Sequence, residues 1–293
     1  MFRKGLIFMV VIGMVLFTAL PSPSQQKKLK VFISVDMEGV CGVNHWEDVS
    51  RTGKDYGLFR KLMTLETNAA IRGAQAAGAT EIVVRDSHGS ARNILPDLLA
   101  NGVRLIRDWS GGPLGMMEGI DKSFDAVIFV GYHARAGTAD AVLEHTYTGS
   151  VFNLKLNGKL MPEAGLNGAI AGYFGVPVVM IAGDAAIAKQ AKKLLGDIEC
   201  AVVKEGIGNA AKMLHPEDAC SLIEETAKKA LQRLGEFKPY RFSPPYTMEV
   251  TFKDENLAYR ASLFPKAKQI DTRTVSYTHN DLIEVLKFWT LGH

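Results

Sequence analysis

The stretch KVFISVDMEG, residues 30–39, restricts the fold more than any other part of the chain. Val31, Phe32, Ile33 and Val35 form an apolar, β-branched run without the polar alternation of a half-exposed strand, so it reads as a strand buried on both faces. Such a strand should end at a turn, yet this one delivers Asp36 and Glu38. Two residues is the strand repeat, so in an extended chain both carboxylates leave on the same side. Side by side in a half-buried place they repel, and a bound cation is the simplest way to keep both ionised. Gly39 then permits a turn or a close backbone approach that a Cβ would hinder.

The pattern of an apolar strand running into polar residues recurs. EIVVR at 81–85 leads to Asp86, Ser87, His88 and Gly89; DAVIFVG at 125–131 leads to Tyr132, His133 and Ala134; VPVVMIAG at 176–183 ends at Asp184. Helical spacing fills the intervals, at 57–77 (Leu62, Leu65, Ala69, Ile71) and at 164–174. A helix-like segment at 95–100, a short strand at 104–106 and a Gly-rich turn at 111–115 complete this part. The alternation predicts an α/β fold with a largely parallel central sheet flanked by helices. Ligands of such sheets bind beyond the carboxyl ends of the strands, where Asp36, Glu38, Asp86, His88, His133 and Asp184 are expected.

A loop carrying Glu144 and His145 precedes a hairpin at 152–156, with Asn157-Gly158 as its tight turn and Glu163 beyond it. After Asp184 the pattern changes. Helices at 185–195 and 216–234 flank a short strand near 201–203, and a proline-bearing boundary at 239–245 follows. A strand at 247–252, a strand-like piece at 262–274 and a terminal helix at 280–289 predict a smaller C-terminal α+β subdomain. The expected organisation is a leader at 1–24, a metal-binding α/β core at 29–200 and the subdomain at 201–293.

Composition narrows the class. With 293 residues, 47% hydrophobic and 22% charged, the chain is ordinary globular material with enough apolar residues for a sizeable core. A net charge of +3 without a long basic block gives no electrostatic support for nucleic-acid binding. Cys41, Cys200 and Cys220 are too few and too scattered for a disulfide framework or a thiolate zinc site. Arg3 and Lys4 precede an apolar run at 6–20 and then Pro21, Ser22, Pro23 and Ser24. That is the layout of a signal peptide, with an uncleaved N-terminal anchor as its alternative, and it predicts an exported protein, periplasmic or extracellular.

Carboxylates and imidazoles without thiolates suit zinc, or manganese or cobalt, whereas magnesium prefers an all-oxygen set. An Asp, Glu, His, His set with a further Glu is enough for two ions sharing a bridging carboxylate, the arrangement that activates water in hydrolysis. Each residue also has a plainer reading, as a helix cap or a solvated loop residue. Trp46 and Trp109 read as packing residues, His45, His215 and His279 as surface, and the 111–115 loop lacks the Lys-Ser/Thr of a phosphate-binding loop.

SVDMEG at 34–39, DSHG at 86–89, GYHA at 131–134, HTY at 145–147 and the E-x-G-L-N run at 163–167 together resemble the zinc-dependent D-aminopeptidases of the dipeptide-operon type. The motifs occur in that family's order, and the likeness spans about residues 30–290. It implies an aminopeptidase with two zinc ions per chain, active through metal-activated water on short peptides with an N-terminal D-residue, such as D-Ala-D-Ala or D-Ala-Gly-Gly. Carried over by position, it implies Asp36, Glu38, His88, His133 and Glu163 as zinc ligands and His145 as nucleophile or acid/base. It also implies a homo-oligomer, a decamer of two facing five-fold rings. The exported N-terminus departs from the namesake, which is intracellular.

Two rival readings remain at this level. One is a metal-dependent amidase or phosphoesterase acting on another substrate, although no Arg/Lys clamp for phosphate is evident. The other is a non-catalytic exported peptide-binding protein, which would need no pair of metal ions.

Overall fold

A computed structural model describes residues 28–292, together with Met1, Phe2 and Gly5. The leader expected at 1–24 lies, apart from those three residues, outside the described residues. In chain order the elements are β1 (Leu29–Val35), α1 (Trp46–Val49), α2 (Tyr56–Ala76), β2 (Ala79–Asp86), β3 (Arg104–Ile106), β4 (Ala126–Tyr132), β5 (Val151–Leu156), β6 (Lys159–Leu160), α3 (Glu163–Tyr173), β7 (Val178–Asp184), α4 (Ala185–Leu195), β8 (Glu199–Ile207), β9 (Ala210–Met213), α5 (Pro216–Gln232), β10 (Tyr246–Phe252), α6 (Glu255–Ser262), β11 (Lys268–Gln269), β12 (Thr274–His279) and α7 (Leu282–Gly292).

Seven strands form the main sheet in the order β3-β2-β1-β4-β7-β8-β9. All its pairings are parallel except the β8–β9 hairpin at one edge. The alternation seen in the sequence therefore folds as an α/β sheet, and the apolar strands are apolar because both faces are covered. Val31, Ile33 and Val35 of β1, with Ala126, Ile128 and Val130 of β4, belong to a core shared with α2 and α5. Phe32 of β1 and Val127 and Phe129 of β4 face a second core, shared with α3, α7 and the other sheet.

Strand order reverses between β1 and β4, because the chain first builds outward through β2 and β3 and then returns to add β4 and β7 on the other side. Such a switch point opens a crevice at the carboxyl ends of the two strands. Asp36 follows β1 and His133 follows β4, so both stand at its mouth.

The second sheet is antiparallel, in the order β11-β12-β10-β5-β6. It is the α+β part expected at the C-terminus, with α6 and α7, but it also recruits β5 and β6 from the middle of the chain. Conversely, the position expected to divide core from subdomain, between 200 and 201, falls inside β8, and the main sheet continues to Met213.

Several local expectations are corrected. The segment at 95–100 is a single turn, held when Asn68 donates to Leu98 O and accepts from Ala100 N. The strand expected over 262–274 starts only at Thr274, because α6, a turn and the two-residue β11 occupy that stretch. His45 and His215 are exposed, as expected, and each caps the N-terminus of a helix, α1 and α5. Cys41, Cys200 and Cys220 are free.

Candidate metal centre

β1 ends at Val35, and Val40 N donates back to Met37 O, so Glu38 lies in a turn rather than in extended chain. The expected pleat argument holds for Asp36 alone. The turn nevertheless brings the Glu38 carboxylate to the same place: His88 Nδ1 lies 3.0 Å from Glu38 Oε2 and 3.3 Å from Asp36 Oδ1.

That turn presses on the end of β4. Gly39 N donates to Gly131 O at 2.7 Å and Asp36 N to Val130 O at 2.8 Å. A Cβ on Gly39 would stand 2.0 Å from Tyr132 O, and one on Gly131, whose φ is +71°, would stand 2.1 Å from Asp36 O. Only glycine fits either position, and the contact fixes Asp36 against His133.

Asp86 closes β2 without joining the cluster. Its oxygens accept from Asn93 N (2.6 Å), Asn93 Nδ2 (2.7 Å) and Ile94 N (2.7 Å), and Asn93 Nδ2 also donates to His88 O (2.6 Å). Asp86 therefore holds the loop that carries His88. Asp184, also expected at this rim, is the N-cap of α4: Ile187 N donates to its Oδ1 at 2.7 Å and Val142 N to its Oδ2 at 2.9 Å. Both are carboxylates answering backbone N–H groups, the plainer reading of a strand-end acid.

Glu163 is the first residue of α3, and His133 Nε2 lies 3.3 Å from its Oε1 and 3.4 Å from Asp36 Oδ2. His145 Nε2 lies 3.7 Å from Glu163 Oε1 and 4.0 Å from Glu38 Oε1. The His133 and His145 rings stack at 4.1 Å, and Trp46 meets the far side of His145 edge-on. Asp36, Glu38 and His88 form one group of potential metal donors, and His133, His145 and Glu163 another, with the donor atoms of each group within 4.8 Å of one another. All six site residues expected from the sequence are thus brought together, on β1, β2 and β4 ends, a loop and the start of α3.

The imidazoles are oriented alike. His88 Nε2 meets Val49 O at 2.9 Å, His133 Nδ1 meets Ala134 O at 3.0 Å and His145 Nδ1 meets Leu143 O at 2.9 Å. A carbonyl only accepts, so each of these nitrogens carries the proton and the opposite nitrogen of every ring faces the carboxylates. An outer nitrogen fixed on a backbone carbonyl and an inner one left to coordinate is the arrangement of metal-binding histidine. His133 Nε2 is buried and has no hydrogen-bond partner, an orphan that a cation between Asp36 and Glu163 would satisfy.

Charge in the ion-free cluster is correspondingly tense. Burial pushes the His88 imidazole down, but the Glu38 and Asp36 carboxylates outweigh it and hold it well above its ordinary range. His133 behaves likewise, with Glu163 and Asp36 opposing burial. Burial raises Asp36 and Glu163, yet the histidines beside them bring both below the usual carboxylate range. Two imidazoles inclined to hold a proton offset only part of the charge of three carboxylates, Asp36, Glu38 and Glu163, a deficit that divalent ions would make good. The oxygen-and-nitrogen donor set, free of thiolate, fits zinc.

The cluster opens into a cavity of about 410 Å³ lined also by Trp46, Trp109, Met116 and Tyr147. Trp46 and Trp109 are thus walls of the site and not the packing residues expected. Nothing in the sequence around either tryptophan marked it as such.

The family model for D-aminopeptidases (Peptidase_M55) matches residues 29–291. The chain belongs to the D-aminopeptidase family. It is 35% identical over 260 residues to the D-aminopeptidase of Bacillus subtilis strain 168, covering 87% of this chain and 93% of that one. Among solved structures it is similar to the zinc-dependent D-aminopeptidase DppA from Bacillus subtilis, described as a self-compartmentalizing protease. The TM-score is 0.87 at 34% identity, over 90% of this chain and 96% of the other. Membership bears out the resemblance read from the five motifs and makes the protein a peptide hydrolase.

Proposed function

We propose that this protein is an exported dinuclear zinc aminopeptidase that removes a D-residue from the amino end of short peptides such as D-Ala-D-Ala. The observation that carries this reading is the six-residue cluster in which three tethered imidazoles turn their inner nitrogens onto three carboxylates. Asp36, Glu38, His88, His133 and Glu163 would hold the two ions, Asp36 standing near both histidines. When bound, the ions would shift water towards a pKa of ~7 and polarise the scissile carbonyl.

The remaining steps belong to side chains. Cutting at the first amide requires the peptide's amino end to sit beside Asp36, Glu38 and Glu163, in the cavity walled by Trp46 and Tyr147. His145, with Nδ1 held by Leu143 O and its ring fixed between His133 and Trp46, keeps Nε2 facing the cavity. That nitrogen is placed to take a proton and pass it to the leaving amine. Tyr147 N donates to Glu163 Oε1 and fixes that carboxylate. No lysine or arginine is among the residues lining the cavity, which favours an uncharged amide over a phosphate ester.

The charged and apolar opening of the sequence supports export, and N-terminal sequencing of secreted protein would locate the cleavage. No helix among the described residues is long and apolar enough to cross a membrane. The deciding experiment is release of free D-alanine from D-Ala-D-Ala by purified protein. Turnover abolished by a chelator and restored by zinc, with close to two zinc ions per chain, supports the reading. Turnover indifferent to the chelator rejects it.

A further inference from the structure

A second cavity, of about 310 Å³, adjoins the first. Gly89, Trp109, Met116 and Tyr147 line both, so the two share a wall. The second has a different chemistry: Leu114, Leu166, Ile170, Leu286 and Trp289 dominate it, and no charged side chain lines it.

The two cavities are tied by one helix face. Glu163, Leu166 and Ile170 stand at i, i+3 and i+7 on α3, the spacing that places side chains on one side of a helix. At 1.5 Å per residue, Leu166 and Ile170 lie about 4.5 and about 10 Å along the axis from Glu163. One residue of extended peptide advances about 3.3–3.6 Å. A peptide whose first amide lies at the cluster therefore brings the side chain of its second residue over the floor made by Leu166 and Ile170. Tyr147 marks the division: its backbone N donates to Glu163, its hydroxyl donates to Asn167 Oδ1 at 2.8 Å, and its ring leans on Trp289 at 5.2 Å.

We propose that this cavity is the subsite for the residue released with the new amino end, and that it selects an apolar side chain there. The proposal rests on the D-aminopeptidase reading and deepens it. The amino end lies in the first cavity, because the aminopeptidase reading puts the first amide at the cluster of Asp36, Glu38 and Glu163 that lines it. An apolar side chain gains nothing among those carboxylates and loses water contact against Leu166, Ile170, Leu286 and Trp289. Hydrophobic pockets discriminate by about 10-fold or more for each well-placed apolar group.

The test compares kcat/KM of the zinc-loaded full chain on D-Ala-Gly, D-Ala-D-Leu, D-Ala-L-Leu and D-Leu-Gly. The better of the two D-Ala-Leu isomers is expected to exceed D-Ala-Gly by at least about tenfold. Thr290→Trp, which fills the cavity from α7, is expected to bring that ratio towards one with zinc content unchanged. Equal values for D-Ala-Gly and both leucine peptides in the wild type would overturn the subsite while leaving the aminopeptidase reading intact, as would a preference for D-Leu-Gly over both D-Ala-Leu peptides. The substrate series decides even if Thr290→Trp fails to fold. No turnover of any of the four overturns the subsite, and no release of D-alanine from D-Ala-D-Ala in the same preparation overturns the aminopeptidase reading as well.

Discussion

Lys204 illustrates how single residues hold this site in shape. It is fully buried on β8, and its Nζ donates to Glu38 O, to Val40 O at 2.9 Å and to Val43 O at 2.7 Å. Burial pushes its ammonium down to about 8, opposed by Glu66 and Asp184. One side chain thus satisfies three carbonyls of the turn that presents Glu38. Lys204→Met leaves those acceptors unpaired and should cost at least about 2 kcal/mol, read from urea denaturation, with weaker zinc retention in dialysis. His145→Ala should behave differently, because its Nε2 stands farther from the acids than the other two rings do. Retained zinc with turnover lowered by about 100-fold or more is expected, and wild-type turnover would remove the residue from the chemistry. Asp36, Glu38, His88 and His133 were legible because each sits in a short polar motif after an apolar run, whereas His145 and Glu163, in a loop and beyond a hairpin turn, were singled out only by the resemblance of HTY and the E-x-G-L-N run. Lys204 was not: in AVVKEG a lysine looks like ordinary strand alternation, and its three acceptors are distant in sequence. Asp184 misled for the converse reason, since a strand-end acid that caps the next helix carries the same local pattern as one that binds a cation.

Among the elements, the junction of β1 and β4 carries the most constraint. Both strands are recognisable from composition, and their parallel pairing follows from the helices between them. What composition does not convey is that the backbone after β1 touches the backbone at the end of β4. Gly131→Ala would place a methyl group 2.1 Å from Asp36 O at a positive φ, so the strand ends must separate. We expect lost zinc, measured by atomic absorption, and a melting temperature lower by several degrees, as for about 1–3 kcal/mol of strain. Assignments at 95–100 and 262–274 went astray because short apolar stretches fit helix, turn and strand equally well. There the deciding contacts are tertiary, such as Asn68 reaching Leu98 and Ala100.

On the scale of the whole molecule, exposed apolar side chains are widespread: Phe152, Ile207, Leu263, Ile270 and Leu291 all face outward on the isolated chain. The homo-oligomer that the motif resemblance implies would cover some of them. Size-exclusion chromatography with light scattering should give a mass several times that of one chain, ten chains for the decamer the resemblance implies, and a stable monomer would refute the assembly. The second sheet carries a further consequence, for biosynthesis. Lys155 of β5 pairs with Glu249 of β10, 94 positions later, so on the ribosome β5 emerges long before the strand that will cover its flank. Until then the nascent chain bears an unprotected edge, and a product halted before Tyr246 would never lose it. Helix α7, which follows Tyr246 in the chain, also supplies Leu286 and Trp289 to the apolar cavity. A polypeptide halted before α7 should therefore be both sticky and unfinished, lacking the side of the working pocket that Leu286 and Trp289 build.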